Sequence, residues 1–346
     1  MSTPAAASTV PWMSDARRSW LEDVQRWVSE SVEALDLGPK ADVAFFRERT
    51  WGAVARVETS QRVLFFKAQG VPTRLEPTLV SDLAVHWPGL GPDVLAADLQ
   101  RAWLLLADHG TRMWDSLDPA AQVDIFEQLI PQYARVQRES SGLIERWIAA
   151  GAPDRRIENI PKLLERLLAG DLWGALTLEP AQHREIEAIV PDLVQICDSL
   201  ASMPFAAALD HCDLHGGNVL IGRGSPRLID WGDACITHPF CSLFVAYQHA
   251  VAMMPPSDRR GAALRLRDVY LEPWSDLASA TELRAAFAHA TWLGYLIRAL
   301  SFAYMLDLSD ATGRDDVARF LIRWTGTHAL LGRADELVEA VAGQTE

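Results

Sequence analysis

The chain has 346 residues, 49% hydrophobic and 23% charged, which is the profile of a folded globular protein, and its length suits two lobes rather than one domain. A net charge of -14 counts against nucleic-acid binding, which needs basic surface to displace counterions, and makes a cationic partner the better match. Cys197, Cys212, Cys235 and Cys241 show no CxxC spacing and read as free thiols of a reducing, cytoplasmic compartment, and the N-terminus lacks the basic and apolar runs of a signal peptide.

Residues 14 to 36 carry apolar positions at helical spacing, with Ser14 as N-cap and Gly38-Pro39 as stop, so 1–40 reads as an N-terminal helical extension. From 41 to 108 the pattern turns to short β-rich runs. VAFFRER, AVARVETS and RVLFFKA, separated by turn residues, predict an antiparallel meander. A helix over Glu76 to Val85 and two further runs, DVLAA (93–97) and AWLLLA (102–107), complete a five-stranded sheet with one helix.

Beyond Asp108-His109-Gly110 helices dominate, the first over 119–139 with Asp118 as cap and Pro119 at its first position. The helical stretch 109–346 is interrupted at 209–233, where NVLI and PRLID flank the turn Gly222-Arg223-Gly224 and predict a hairpin. Helical periodicity returns from 239, with breaks at Pro255-Pro256 and Gly313. The apolar window 284–306 contains Arg284, His289 and Arg298, which suits a buried helix and not a membrane span.

The chemistry concentrates in LDHCDLHGGNVLIGRGSPRLIDWGDA, residues 209–234, which holds His211-x-Asp213-Leu214-x-x-x-Asn218 and then Asp230-Trp231-Gly232. A kinase catalytic loop needs a carboxylate at the substrate hydroxyl, an Asn five positions later on magnesium, and an Asp-x-Gly after the next hairpin that holds metal on the phosphates. All three occur here in that order.

The pattern closely resembles the aminoglycoside phosphotransferase and choline kinase superfamily, whose loops read HGDLHxGN and IDWGDA or IDFGDA. The resemblance implies an α+β, two-lobed protein-kinase-like fold: a small N-terminal lobe (41–108) with the sheet, and a large helical lobe (109–346) with the catalytic loop and the acceptor pocket. It also implies Asp213 as catalytic base, Asn218 and Asp230 as magnesium ligands, His211 as a structural member of the loop, and His215 beside the pocket.

The β-rich half supplies a second requirement, a cation for the α- and β-phosphates on the third strand, held by a Glu from the next helix. Lys67 in VLFFKA meets it, one of only three lysines in the chain, with Glu76 as its partner. Arg49-Thr50-Trp51-Gly52-Ala53 has one glycine and no GxGxxG, so Thr50 is the residue expected at the terminal phosphates, as in the resembled superfamily. Adenine is expected at the linker backbone near Leu106, Ala107 and Asp108. A further departure is Ser242 in His238-Pro239-Phe240-Cys241-Ser242-Leu243, where relatives carry an Asp that braces the catalytic loop.

The reading is therefore an ATP-dependent (or GTP-dependent), magnesium-dependent phosphotransferase acting on a small-molecule hydroxyl, with no nucleic-acid or membrane partner. A protein acceptor is disfavoured, because residue 212 is Cys where protein kinases have Arg and no Ala-Pro-Glu segment follows. An antibiotic such as an aminoglycoside is the favoured acceptor, with an amino sugar, choline or homoserine as the alternative. Asp268, Glu272, Asp276, Asp307 and Asp310 could face a cation, although solvated helix faces explain them too. The thirteen tryptophans read chiefly as core, with sugar stacking as a second role. Abundant Arg and Ala with scarce Lys fit a GC-rich bacterial genome. Two rivals stand further off: a metallohydrolase built on His211, Cys212, Asp213 and His215, and a pseudokinase binding module.

Overall fold

The computed structural model describes residues 10–38, 41–222, 224–305 and 311–344. The chain divides into two compact units. One holds the described residues up to Thr111 together with Ala149–Gly151 and Leu220–Gly232; the other holds Arg112–Ile148, Ala152–Val219 and the described residues from Asp233 on.

Alternation organises the first unit. Strands β1 (Ala41–Arg49), β2 (Gly52–Thr59), β3 (Val63–Gln69), β4 (Val94–Asp98) and β5 (Trp103–Ala107) form one sheet in the order β1-β2-β3-β5-β4, antiparallel throughout. Successive side chains of a strand point to opposite faces. Leu64, Phe66 and Ala68 of β3 are accordingly buried on one face. There they join Ala53, Ala55 and Val57 of β2 and Trp103 and Leu105 of β5.

Helix α1 (Arg17–Ala34) covers that face with Trp20, Val24, Val28 and Val32, four residues apart and all buried. Its aromatic rings interlock with the sheet, Trp27 meeting Phe66 and Trp103 edge-on at 5.9 and 5.8 Å. Period two then puts Lys67, between Phe66 and Ala68, on the other side of the sheet. A one-residue slip of β3 would bury the ammonium under α1, so the aromatic core fixes the register that positions Lys67.

The N-terminal expectation needs one correction. Ser14 does not cap α1, because Pro11 opens a separate short turn, Pro11–Met13. The Ser14 hydroxyl donates to the Pro11 carbonyl and accepts from the Ala16 N–H, so α1 starts at Arg17 with no side-chain cap. The stop at Gly38 falls in the described chain, while Pro39, Lys40 and Arg223 of the hairpin turn lie outside the described residues.

The second unit is built mainly of helices. The helix Pro119–Glu139 begins at the expected residue, with the Asp118 carboxylate accepting from the Ala121 N–H at 2.9 Å. Two short strands interrupt the helices: Ala208–Asp210 pairs antiparallel with Cys235–Thr237. Together with the loop between them, they frame the segment in which Asp213 lies.

The helix Ala280–Met305 carries the apolar window except for its last residue, Leu306, which lies outside the described residues, and is buried through Phe287, Trp292, Tyr295 and Leu296. No described helix is long and apolar enough to cross a membrane. Gly313 is not a break, because it sits within the first turn of the helix Ala311–Gly326.

Removing the central ring of the sheet core should show how far that core carries the first unit. Phe66→Ala is expected to cost about 3–5 kcal/mol, the range for truncating a buried aromatic. Denaturant unfolding of the purified variant measures this, and a loss under ~1 kcal/mol would mean that the ring does not hold the sheet to α1.

Candidate active site

In the first unit three segments distant in sequence meet at one ammonium. Lys67 Nζ lies 2.8 and 2.6 Å from the two Glu76 carboxylate oxygens and 2.5 Å from Asp230 Oδ1. Glu76 opens the helix Glu76–His86 (α2) and is 1% exposed. A carboxylate so buried must have its lone pairs filled, and it also accepts from the Gln69 amide and from the Trp231 N–H at 3.1 Å.

Burial by itself would lower the lysine, but Asp230 and Glu76 outweigh it and hold its pKa above the usual lysine value. It therefore stays charged. Asp230 sits at φ 65°, in the left-handed region that costs a non-glycine residue, and the two residues after it are held in place. Trp231 is buried, with its indole N–H on the Leu228 carbonyl. A Cβ on Gly232 would lie 2.9 Å from the Thr73 methyl, so this position tolerates no side chain without movement.

Thr50 lies exposed at the tip of the β1–β2 turn. The turn is tethered through the next residue, since the Trp51 carbonyl accepts from the Gly70 N–H at 2.8 Å and from the Thr73 hydroxyl. Leu106 is buried on β5 opposite Phe65, and the exposed Asp108 turns back to accept from the Gly110 N–H. The Ala107 N–H is already committed to the Asp93 carbonyl at 3.0 Å. An adenine reading this strand would therefore have to use other backbone groups of the linker.

In the second unit the loop after Ala208–Asp210 is tied to itself. Cys212 adopts φ 60°, and its N–H donates to Asp210 Oδ1 at 2.9 Å. The buried His211 ring accepts from the Asp213 N–H through Nδ1. His215 accepts from the Gly217 N–H through Nδ1, which leaves Nε2 as the protonated nitrogen, 3.3 Å from Asp213 Oδ2. Asn218 Nδ2 donates to the same Asp213 oxygen and to the Asp213 carbonyl, both at 2.9 Å, so the amide oxygen is the atom left to coordinate a metal.

Trp114, 44% exposed, stacks on His215 with ring centroids 4.8 Å apart and planes 14° from parallel. Gly217 makes room for it, since a Cβ there would reach within 2.5 Å of the indole.

The question raised by Ser242 has a structural answer. Its hydroxyl lies 3.2 Å from the Tyr133 hydroxyl and 2.8 Å from Gln137 Nε2. The Tyr133 oxygen accepts from the His211 N–H at 2.9 Å, Gln137 donates to the Leu209 carbonyl at 2.7 Å, and Tyr270 donates to Gln137 Oε1 at 2.6 Å. A neutral network of two tyrosines, a glutamine and a serine thus braces the loop.

Neither Tyr133 nor Gln137 stood out in the sequence. The available signal was a polar Gln137 in line with buried Phe126, Ile130 and Tyr133 on the apolar face of an amphipathic helix. Arg298 was also missed as a site residue: its Nη2 lies 3.0 Å from Asp213 Oδ1.

The metal rival fails on geometry. His211, Asp213 and His215 do not converge with Cys212 on one point; among the described residues the converging donors are Asp210, Cys212 and Cys235, all buried. Arg155 Nη1 stands 3.8 Å from Cys212 Sγ, so a cation already occupies that neighbourhood and opposes a second. All four cysteines are free thiols. Of the acidic residues proposed to face a cation, Asp268 and Asp276 are paired with arginines, Glu272 is exposed, and Asp307 and Asp310 lie outside the described residues.

Tyr133→Phe strands the buried His211 N–H, and it should lower stability by about 1–3 kcal/mol. The shift of the denaturant midpoint measures it; an unchanged midpoint would show that the loop amide has another acceptor.

The sequence matches the family described as phosphotransferase enzyme family over residues 75–283. No curated protein matches. Among solved structures, a choline/ethanolamine kinase family protein from Mesorhizobium loti aligns at 13% identity and TM-score 0.56, covering 92% of this chain and 99% of its own. The macrolide 2'-phosphotransferase MphH from Brachybacterium faecium aligns at 16% and 0.56, covering 85% and 97%. A microcompartment-associated aminopropanol kinase aligns at 13% and 0.58, covering 90% and 99%. These likenesses establish the two-lobed α+β kinase-like fold. With more than half its length matched by the family, the chain belongs to the phosphotransferase enzyme family, whose members are small-molecule kinases drawing on a nucleotide donor.

Proposed function

We propose that this enzyme transfers the γ-phosphoryl group of ATP to a hydroxyl of an antibiotic, an aminoglycoside or a molecule like it, and so confers resistance. The observation that carries the kinase reading is the lysine shared by Glu76 and Asp230, at 2.6 and 2.5 Å, because phosphoryl transfer needs a fixed cation for the phosphates and two carboxylates hold this one charged. In this reading the sheet of 41–108 is the nucleotide lobe and 109–346 carries the catalytic loop and acceptor pocket. ATP is the donor, with GTP as the substitute to be tested.

Lys67, held by Glu76, takes the α- and β-phosphates, and Thr50 lies over the terminal ones. The linker at Leu106 to Asp108 reads the base. Asn218 and Asp230 would hold magnesium, since amide and carboxylate oxygens are the hard donors that ion prefers, and the ion would supply charge neutralisation on the phosphates.

Asp213 accepts the proton of the acceptor hydroxyl as that oxygen forms its bond to the γ-phosphorus. The bond from phosphorus to the bridging oxygen breaks, and ADP leaves with the electron pair. Burial would raise the Asp213 carboxyl, but Arg298 and His215 outweigh it and hold it far below the usual carboxylate range. Asp213 is therefore ionised and chiefly an orienting group that takes the proton late. His211 and His215 keep the loop in shape, and catalysis is mainly positioning and electrostatics.

An acceptor carrying positive charge suits the net charge of -14. The second reading is a metabolite kinase acting on choline, an amino alcohol, an amino sugar or homoserine. It is favoured by the likeness to a choline/ethanolamine kinase family protein and an aminopropanol kinase, where the antibiotic reading has MphH. The enzyme would work in the cytoplasm of a bacterium.

Asp213→Asn should leave ATP affinity nearly intact and lower turnover by about a hundredfold or more, the contribution of general-base catalysis. Asp230→Asn should abolish magnesium-dependent nucleotide binding while the protein stays folded. Titration calorimetry and ADP release measure both effects, and wild-type turnover in either variant would remove that residue from its role.

An ADP-release screen over aminoglycosides, macrolides, choline, ethanolamine, aminopropanol, amino sugars and homoserine tests the acceptor. Turnover confined to antibiotics is the expected outcome; turnover confined to the metabolites would replace the antibiotic reading with the second one.

A further inference from the structure

The catalytic carboxylate is held from a part of the chain that the family match does not reach. Arg298 lies on the helix Ala280–Met305, beyond the matched residues 75–283. Its side chain is 9% exposed, and the guanidinium rests on the Phe302 ring at 4.7 Å. One nitrogen, Nη2, donates to Asp213 Oδ1 at 3.0 Å; the other, Nη1, donates to the Cys212 carbonyl at 3.1 Å and faces Asp233 Oδ2 at 3.8 Å.

A guanidinium is a planar fork, and here its prongs grip a carboxylate and the carbonyl of the residue before it. That residue, Cys212, has the left-handed φ of 60° that turns Asp213 out of the strand direction. The two oxygens of Asp213 are unequally loaded. Oδ2 takes the Asn218 amide at 2.9 Å and lies 3.3 Å from the His215 Nε2–H, which uses both of its lone pairs. Oδ1 takes Arg298 on one lone pair.

We propose that Arg298 is a positioning residue for phosphoryl transfer: it fixes Asp213 so that the second lone pair of Oδ1 points at the acceptor hydroxyl, and it pins the strained backbone at Cys212 with the same fork. This rests on the reading of Asp213 as the base. A lysine cannot reproduce the device, since one ammonium has no fixed second prong to hold both oxygens in one plane.

The test uses the full-length enzyme, ATP with magnesium, and water as the acceptor, following release of inorganic phosphate. Arg298→Lys keeps a charge beside Asp213 and Asp233. It should stay folded, with the melting temperature lowered by at most a few degrees through the lost bond to the Cys212 carbonyl, and keep the wild-type KM for ATP while kcat falls about tenfold or more, as misplacement of a reacting group does. Arg298→Gln should fall further, and millimolar guanidinium should restore part of its rate.

The decisive measurement is the double-mutant cycle. In an Asp213→Asn background Arg298→Lys should change kcat by less than about twofold, because the group it positions is gone. Wild-type kcat in Arg298→Lys, or an undiminished effect in the Asp213→Asn background, would overturn the proposal. Wild-type kcat in Asp213→Asn alone would instead overturn the reading of Asp213 as base, so the two failures are distinguishable.

Discussion

A desolvated ammonium and a buried carboxylate are each costly alone, and in the first unit Lys67 and Glu76 are tenable because they pair with each other and are joined by Asp230, the Gln69 amide and the Trp231 N–H. Three pieces of the chain must be right for that pair to form. The aromatic core under α1 sets the register of β3, which turns Lys67 away from the core. Pro77 starts α2 where Glu76 can reach it. The turn at Asp230-Trp231-Gly232 then adds a second carboxylate and a backbone N–H. Desolvation makes the pair intolerant of error, so the charge acts as a check on the fold of its own lobe.

The second unit handles burial differently. The loop that carries Asp213 is braced by neutral groups, Tyr133, Gln137, Ser242 and Tyr270, where the sequence resemblance leads one to expect an aspartate. Neutral donors and acceptors avoid the desolvation penalty of another buried charge, and they hold the loop at the His211 N–H and the Leu209 carbonyl. Charged groups flank this network: Asp210 accepts from the Cys212 N–H, Arg155 lies beside the Cys212 thiol, and Arg298 meets Asp213. A loop with left-handed Cys212 beside its carboxylate needs such bracing on both sides, from the network behind and from the arginine in front.

Much of this was legible because the signals were short-ranged. A third β-rich run placed Lys67 on the third strand, and a predicted hairpin linked His211-x-Asp213 to Asp230 in sequence. Asp118-Pro119 announced its helix to the residue. What stayed hidden was long-ranged. Ser242 signalled that a brace was missing, yet nothing nearby named Tyr133 and Gln137, more than a hundred residues earlier, as its replacement. Arg298 was visible as a charge in an apolar helix, which demands a partner; only the packing of that helix shows the partner to be Asp213. Ser14 failed as a cap because a proline three residues before it opened a competing turn, a local contest that helix periodicity does not register.

The fate of the γ-phosphoryl group decides the central claim most directly. Phosphorus NMR of a turnover mixture, run with the acceptor that scores in the screen, distinguishes a phosphomonoester coupled to a carbinol proton from inorganic phosphate or a nitrogen-bound phosphoryl. The mechanism requires the monoester to accumulate in step with ADP and to be nearly absent when Asp213 is asparagine. Inorganic phosphate alone, or the same ester formed at the same rate without the Asp213 carboxylate, would contradict it.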